Sequence, residues 1–294
     1  MRVILALLLL VSAAASAELP AYVIELPESV HDVFVADAGN ATLYHFEHAD
    51  DRLTAGTETY MSVGQRGAGK ERAWDRRTPL GIYFVVDHLD TSRMHEKYGV
   101  TAFPLDYPNE WDRLNERTGD GIWVHGVLPG GERRPPFDTD GCLALPNEDL
   151  AALEPLFLPL TTPVIVTREI EWMSEEARAS LRTKLKDSVD RWVSSLADAD
   201  LHAYLSLYAD DFTYRGMSTA EWSALRLSSF ERAGPADVSI EELMLLADPE
   251  VDGLFLSRFL QTTYSPNGPI VRMKRLYWQR GDDGELRIVA EDNG

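Results

Sequence analysis

Apolar residues recur along this chain in two rhythms. From about Tyr22 to Glu169 they come in short runs broken by Gly, Pro, Asn and Asp, the signature of strands joined by turns. Val33-Phe34-Val35-Ala36-Asp37 and Thr42-Leu43-Tyr44-His45-Phe46 flank Gly39-Asn40 and read as a hairpin. Further strand-like runs stand at Tyr60–Val63, Gly81–Val86, Ile122–His125 and Pro163–Val166, while in this half only Asn147 to Leu156 reads as helical. Beyond Glu169 the period lengthens. Leu181, Leu185, Val189, Trp192, Val193 and Leu196 share one face of a helix predicted over Ser174 to Leu196. Helices follow over Asp200 to Tyr208 and Ser218 to Phe230, the second opened by Ser218-Thr219-Ala220-Glu221 in capping-box form. Strands are expected at Leu254–Tyr264, Ile270–Arg280 and Leu286–Ala290, with turns at Asn267-Gly268 and Asp282-Asp283-Gly284. The pattern predicts a mostly-β sandwich or barrel over 18–169 and an α+β domain over 170–294, with the boundary near 168–175.

One apolar run fits neither rhythm. Val3 to Val11 contains no polar residue, follows Arg2, and leads to Ala15-Ser16-Ala17. A positive start, a short apolar run and an A-x-A site predict a secretory signal peptide over 1–17, cleaved after Ala17. Nine apolar residues are too few for a span, which takes about 20. The mature protein is therefore expected to be exported to the periplasm and not membrane-embedded.

Composition narrows the chemistry. With 28 Lys+Arg against 48 Asp+Glu, the formal charge of −20 argues against nucleic acid or an anionic membrane surface as a partner. The single cysteine, Cys142, forbids an internal disulfide and a Cys-rich metal site. In an oxidising compartment a free thiol is a liability, so an exported chain that keeps one invites a search for its use.

His125 ends an apolar strand and is followed by Gly126; Cys142 follows Asp138-Thr139-Asp140-Gly141 and precedes the Asn147 helix. A thiol must lose its proton to attack, and an imidazole can take it. Backbone N–H groups near Gly141 and Cys142 would serve as oxyanion donors. The alternative is a small buried Cys beside a hydrogen-bonded core His, and residue pairing alone leaves both open. Export and the lone thiol favour nucleophilic catalysis.

His125-Gly126 followed by Thr139-x-Gly141-Cys142-Leu143 resembles the active-site signature of the L,D-transpeptidase catalytic domain, the YkuD family. Ser62-Val63-Gly64, Asp75 and Thr78-Pro79-Leu80-Gly81-Ile82-Tyr83 resemble the segment preceding that family's central strand. The resemblance covers roughly residues 30–168. It implies a β-sandwich or barrel, Cys142 as nucleophile, His125 as its general base and acid, and peptidoglycan stem peptides as substrate, with no cofactor and no metal. The sequence departs from the family pattern Ser/Thr-His-Gly-Cys-apolar-Arg/Asn at Asp140 and Ala144. Asp140 either orients His125 or caps a turn. The block Leu105 to Asp112 resembles an enterobacterial-type subgroup whose members act as transpeptidases or as amidases releasing peptidoglycan-linked protein. A hydrolase using the same pair is thus the alternative activity, and a non-catalytic ligand-binding envelope module the alternative of another class. From about 175 onward, Trp192, the stretch Tyr204 to Phe212, Glu221-Trp222 and Lys274 to Trp278 resemble the nuclear-transport-factor-2-like (NTF2-like, SnoaL-type) cone.

Remaining candidates are weaker. Arg133 and Arg134 either meet substrate carboxylates or lie in a solvated loop, as do Arg72, Arg76 and Arg77. His45 and His48 with Asp50 and Asp51 lack a third ligand at useful spacing for metal. Gly64 to Gly69 has the wrong spacing for a phosphate loop, and Lys70 is not followed by Ser or Thr. His202 and Asp210 read as surface or capping residues.

Overall fold

The computed structural model describes residues 18–130, 133–265 and 268–294; the expected signal peptide over 1–17, and Asn267 of the expected Asn267-Gly268 turn, lie outside them. A mostly-β unit is followed by an α+β unit, as the two rhythms predict. The first is built on a five-stranded sheet in the order Arg52–Tyr60, Thr42–Ala49, Asp32–Asp37, Pro163–Thr167, Gly81–Phe84. A three-stranded sheet of Leu143–Ala144, Trp123–His125 and Ala102–Pro104 lies across its inner face.

The central strands are buried on both sides, and alternation along each strand shows how. Phe34, Ala36, Tyr83, Val164 and Val166 pack with Phe103, Val124, Leu143 and Leu145 of the small sheet and its flank. Val33, Val35, Ile82, Phe84 and Ile165 face the other way, onto Met244, Leu246, Leu254, Leu256 and Tyr277 of the second unit. A strand apolar on both faces reads as a continuous run, which is why these segments stand out in the sequence without a polar-out pattern.

The second unit is an antiparallel sheet in the order Leu286–Asp292, Gly268–Arg280, Leu254–Ser265, Asp237–Ala247, Val23–Glu25. Its outer face is covered by the helices Glu175–Ala197, Leu201–Ser206 and Thr219–Ala233, through Leu185, Val189, Trp192, Tyr204 and Trp222. Ser174 caps the first helix, Asp200 the second, and the Ser218–Glu221 capping box forms reciprocally on the third. The aromatics of this face surround a buried polar chain. Tyr204 and Tyr208 share a hydrogen bond of 2.6 Å, Tyr208 donates to Glu291 at 2.8 Å, and Lys274 pairs with Glu291 at 3.1 Å.

Two strands of this sheet escape the sequence pattern. Asp237–Ala247 carries helix-favouring residues such as Glu241, Glu242, Leu243 and Met244, yet it pairs on both sides and accommodates a bulge between Glu241 and Met244. Val23–Glu25 is only three residues long and joins this sheet from the other end of the chain.

Where the two units meet, charge joins apolar contact. Arg275 of the second sheet pairs with Asp106 at 2.5 Å and with Asp292 at 3.0 Å, all three side chains being mostly buried. Asp106 also accepts the Phe84 N–H at 2.8 Å, so one carboxylate ties the end of a central strand to the second unit. The Leu105–Asp112 block thus serves the junction: Asn109 opens a short helix with a capping box to Asp112 and donates to the Ile82 carbonyl. Among the described residues no helix is long and apolar enough to cross a membrane.

Removing one partner of a mostly buried ion pair leaves the other uncompensated. Arg275→Met is expected to destabilise the protein by about 3–5 kcal/mol. A urea unfolding series against wild type checks this, and an unchanged midpoint would rule the bridge unimportant.

Candidate active site

The small sheet brings the two chemistry-bearing residues together. Leu143–Ala144 runs parallel to Trp123–His125, with Leu143 opposite Val124 and Ala144 opposite His125. Cys142, one residue before this strand, therefore emerges beside Trp123, while His125 closes the neighbouring strand. Both line a single cavity of about 650 Å³, together with Gly121, Lys97, Tyr98, Trp74, Arg76 and Arg134 among others.

The turn before Cys142 is held by Thr139. Its hydroxyl accepts the Gly141 N–H at 3.1 Å and donates to the Cys142 carbonyl at 2.8 Å. Gly141 stands at φ +133°, and a Cβ there would lie 2.7 Å from the Arg77 carbonyl oxygen, so backbone conformation and space both require glycine. Because the Gly141 N–H is engaged by Thr139, the structure does not offer it as an oxyanion donor. The Cys142 N–H has no acceptor among the described residues and is the better candidate.

His125 is oriented through its backbone neighbourhood. Its Nδ1 lies 2.6 Å from the Gly126 carbonyl, which can only accept, so Nδ1 carries the proton and Nε2 is left as the basic nitrogen. Gly126 sits so close to the Asn147 side chain that a Cβ would approach Asn147 Oδ1 to 2.2 Å. Asn147, which sequence pattern places only as a helix start, bonds Val127 through both amide atoms, at 3.0 Å and 2.9 Å. It thereby fastens the Cys142-side helix to the chain leaving His125. Tyr98 completes the support, its ring meeting the imidazole edge-on with centroids 5.3 Å apart and the planes at 80°.

Asp140 is not brought to His125. Its side chain is 74% exposed and lies 3.9 Å from Arg76 Nε, which leaves the orienting role to the Gly126 carbonyl. Arg134 lines the cavity but is tied to Asp138, at 2.9 Å through its side chain. Arg133 stacks over the Tyr60 ring at 3.5 Å. His45 and His48 are satisfied separately, by Asp32 and by the Val30 carbonyl, each at 2.8 Å. No group of three or more metal-ligating side chains occurs among the described residues.

The loop from Lys70 to Arg77 forms the opposite rim. Burial alone would raise the Asp75 carboxyl, but the Lys70 ammonium and the N–H groups of Arg72, Glu71 and Arg77 hold it at about 2. Fixed in this way, the loop carries Trp74 at φ +65° with 92% of its surface exposed, beside the cavity. A bulky residue in the left-handed region is costly, and the Asp75 bonds supply the compensation. Sequence reading passes over Trp74 and Tyr98 because neither falls on a periodic face.

The electrostatics set the resting state. Burial chiefly, with lesser help from Arg134 and Lys97, pushes the His125 imidazole down to about 4 against the Gly126 bond. Burial likewise pushes the Cys142 thiol up, opposed by the Trp123 N–H and by Lys97. The thiol proton points to the Gly121 carbonyl at 3.4 Å. At neutral pH the two groups are therefore an uncharged thiol and an uncharged imidazole rather than a preformed ion pair.

Comparison with known proteins agrees with this architecture. The family model for the L,D-transpeptidase catalytic domain, YkuD, matches residues 31–166. That for the Cds6 C-terminal NTF2-like domain matches residues 184–292. No curated protein matches the sequence. Among solved structures, Bd1075 of Bdellovibrio bacteriovorus is 22% identical with a TM-score of 0.78, covering 94% of this chain and 98% of its own. The helical cell shape determining protein Pgp2 of Campylobacter jejuni is also 22% identical at TM-score 0.78, covering 95% of this chain and 96% of its own. Both likenesses span the two units and establish the fold.

A His with a lowered pKa stays neutral until the pH falls well below the ordinary value near 6.5. An NMR titration should accordingly show the His125 ring protonating near pH 4. Protonation at 6 or above would contradict the buried, neutral imidazole.

Proposed function

Over residues 31–166 the chain belongs to the L,D-transpeptidase catalytic-domain family, and from that premise we propose that it is a periplasmic cysteine acyl transferase remodelling peptidoglycan stem peptides. The observation that carries the reading is the pair itself. Cys142 and His125 line one cavity, and His125 has Nδ1 committed to a carbonyl and Nε2 left to act as base.

The reaction starts from two neutral groups. His125 Nε2 accepts the Cys142 proton as sulfur attacks the carbonyl at the L-centre of diaminopimelate in a tetrapeptide stem. Charge develops on the carbonyl oxygen, where the Cys142 N–H donates; one such donor is commonly worth about 3 kcal/mol. The imidazolium then returns its proton to the leaving amine, D-Ala, and a thioester remains on Cys142. An acceptor amine resolves it to a cross-link. Water would resolve it to a shortened stem, the hydrolase outcome.

Keeping the proton on sulfur until attack has a use in an oxidising compartment, since the thiolate is the form that oxidises readily. Export rests on the signal peptide expected over 1–17. The family implies peptidoglycan as substrate.

Purified sacculi incubated with the full mature chain, then digested and profiled, test the proposal. New direct diaminopimelate–diaminopimelate links are expected, and Cys142→Ala should abolish them. Remodelling by Cys142→Ala at the wild-type level would remove the nucleophile, and freed stems or freed protein without new links would make the enzyme a hydrolase. The acid limb of kcat/KM should fall as pH drops through about 4, because protonated His125 cannot act as base.

A further inference from the structure

Four cations line the cavity, and three of them are already answered by carboxylates. Lys70 pairs with Asp75 at 2.8 Å, Arg134 with Asp138 at 2.9 Å, and Arg76 approaches Asp140 at 3.9 Å. Lys97 has no carboxylate partner among the described residues, although Asp120, Asp138 and Asp140 line the same cavity. Its ammonium lies 4.9 Å from the centroid of the Tyr98 ring, and that ring is the one set edge-on to His125. The position is not accidental to the fold. Lys97 and Tyr98 belong to the short turn Glu96–Tyr98, which ends at Gly99, packed against Gly126 and Asn147 immediately beyond His125.

An ammonium with no carboxylate partner among the described residues, on the wall of the cavity that holds Cys142 and His125, is placed for an anionic part of the substrate in a chain of net charge −20. In a linear peptide cleaved one residue from its end, the terminal carboxylate lies a few bonds from the scissile carbonyl. Lys97 lines the same cavity as Cys142 and His125, and the Tyr98 ring it lies over is the one set against the imidazole, so its flexible side chain can reach a carboxylate seated there. Lys is suited to the task as a flexible point charge reaching a mobile chain end.

We propose that Lys97 binds the free terminal carboxylate of the donor peptide, one residue beyond the bond that Cys142 attacks. It thereby selects stems with an open C-terminus over those whose end is amidated or already joined to another stem. The inference rests on the acyl-transfer reading and names the donor class for that site. Lys97 acts as a specificity residue, and the bond-breaking steps stay with Cys142 and His125.

Two tetrapeptide donors that differ only in a terminal carboxylate or carboxamide test it. On the full mature chain, wild type is expected to favour the acid by about tenfold or more in kcat/KM, the scale of a lost charge-assisted hydrogen bond. Lys97→Met should erase that gap, slowing the acid about tenfold more than the amide while any change in the charge felt by Cys142 and His125 moves both rates alike, and Lys97→Arg should restore most of it. An equal gap in wild type and Lys97→Met would overturn the proposal. A gap that vanishes in Arg134→Met but persists in Lys97→Met would transfer the role to Arg134 and overturn it equally. Calorimetric binding of both peptides to Cys142→Ala, with and without Lys97→Met, separates this from the proposed activity. A preference for the acid that requires Lys97 supports the site even if no donor turns over. Equal binding of acid and amide with Lys97 present overturns it.

Discussion

The strands Asp32–Asp37, Pro163–Thr167 and Gly81–Phe84 are buried on both faces, and the rest of the molecule is arranged around that fact. A sheet with two apolar faces needs two covers. One cover is the small sheet that holds His125 and Cys142; the other is the sheet of the NTF2-like unit. Cys142 and His125 and the second unit therefore stand on opposite faces of one wall, which resists deformation because its interior is packed as densely as a crystal. The Arg275–Asp106 pair lies at the end of the same wall, where Asp106 also takes the Phe84 N–H.

On the site side, the same burial fixes the chemistry. Withdrawing His125 and Cys142 from water disfavours both the imidazolium and the thiolate, so the pair rests uncharged. Each residue is held mainly by backbone groups: the Gly126 carbonyl on one, the Thr139-clamped turn and the Trp123 N–H on the other. Such partners are preorganised by the sheet, the arrangement that the proposed acyl transfer would require. The rim contrasts with this interior. Trp74 and Lys97 stand exposed on short turns anchored by Asp75 and by the Gly99–Gly126–Asn147 contact, rigid at the base and open to a ligand.

The second unit spends its polar groups differently. Tyr204, Tyr208, Glu291 and Lys274 satisfy one another inside an aromatic face, and Trp192 donates its indole N–H to Tyr208 at 3.1 Å. A buried network of this kind specifies one packing of the helices on the sheet, because any slip leaves a polar atom unpaired.

Periodicity alone divided the chain into its β-rich and α+β parts, and it located most of the long elements, because burial of one face or two writes itself into the spacing of apolar residues. The lone cysteine, the strand-end histidine and their glycines marked from residue type alone the two side chains that the fold brings to one cavity. What spacing could not reach was decided by contacts between distant segments. Asp237–Ala247 became a strand through its neighbours, against its own propensity. Asp140, adjacent in sequence to the site, turned outward to Arg76, while Gly126 supplied the carbonyl that orients His125. Gly141 gave its N–H to Thr139, two residues away, leaving Cys142 its own. Tyr98, Lys97 and Trp74 reached the cavity because turns were pinned elsewhere, by Asn147 and by Asp75. Local sequence encodes which side chains prefer to be buried; only closure of the fold decides which backbone groups remain unpaired and which charges are left without a partner.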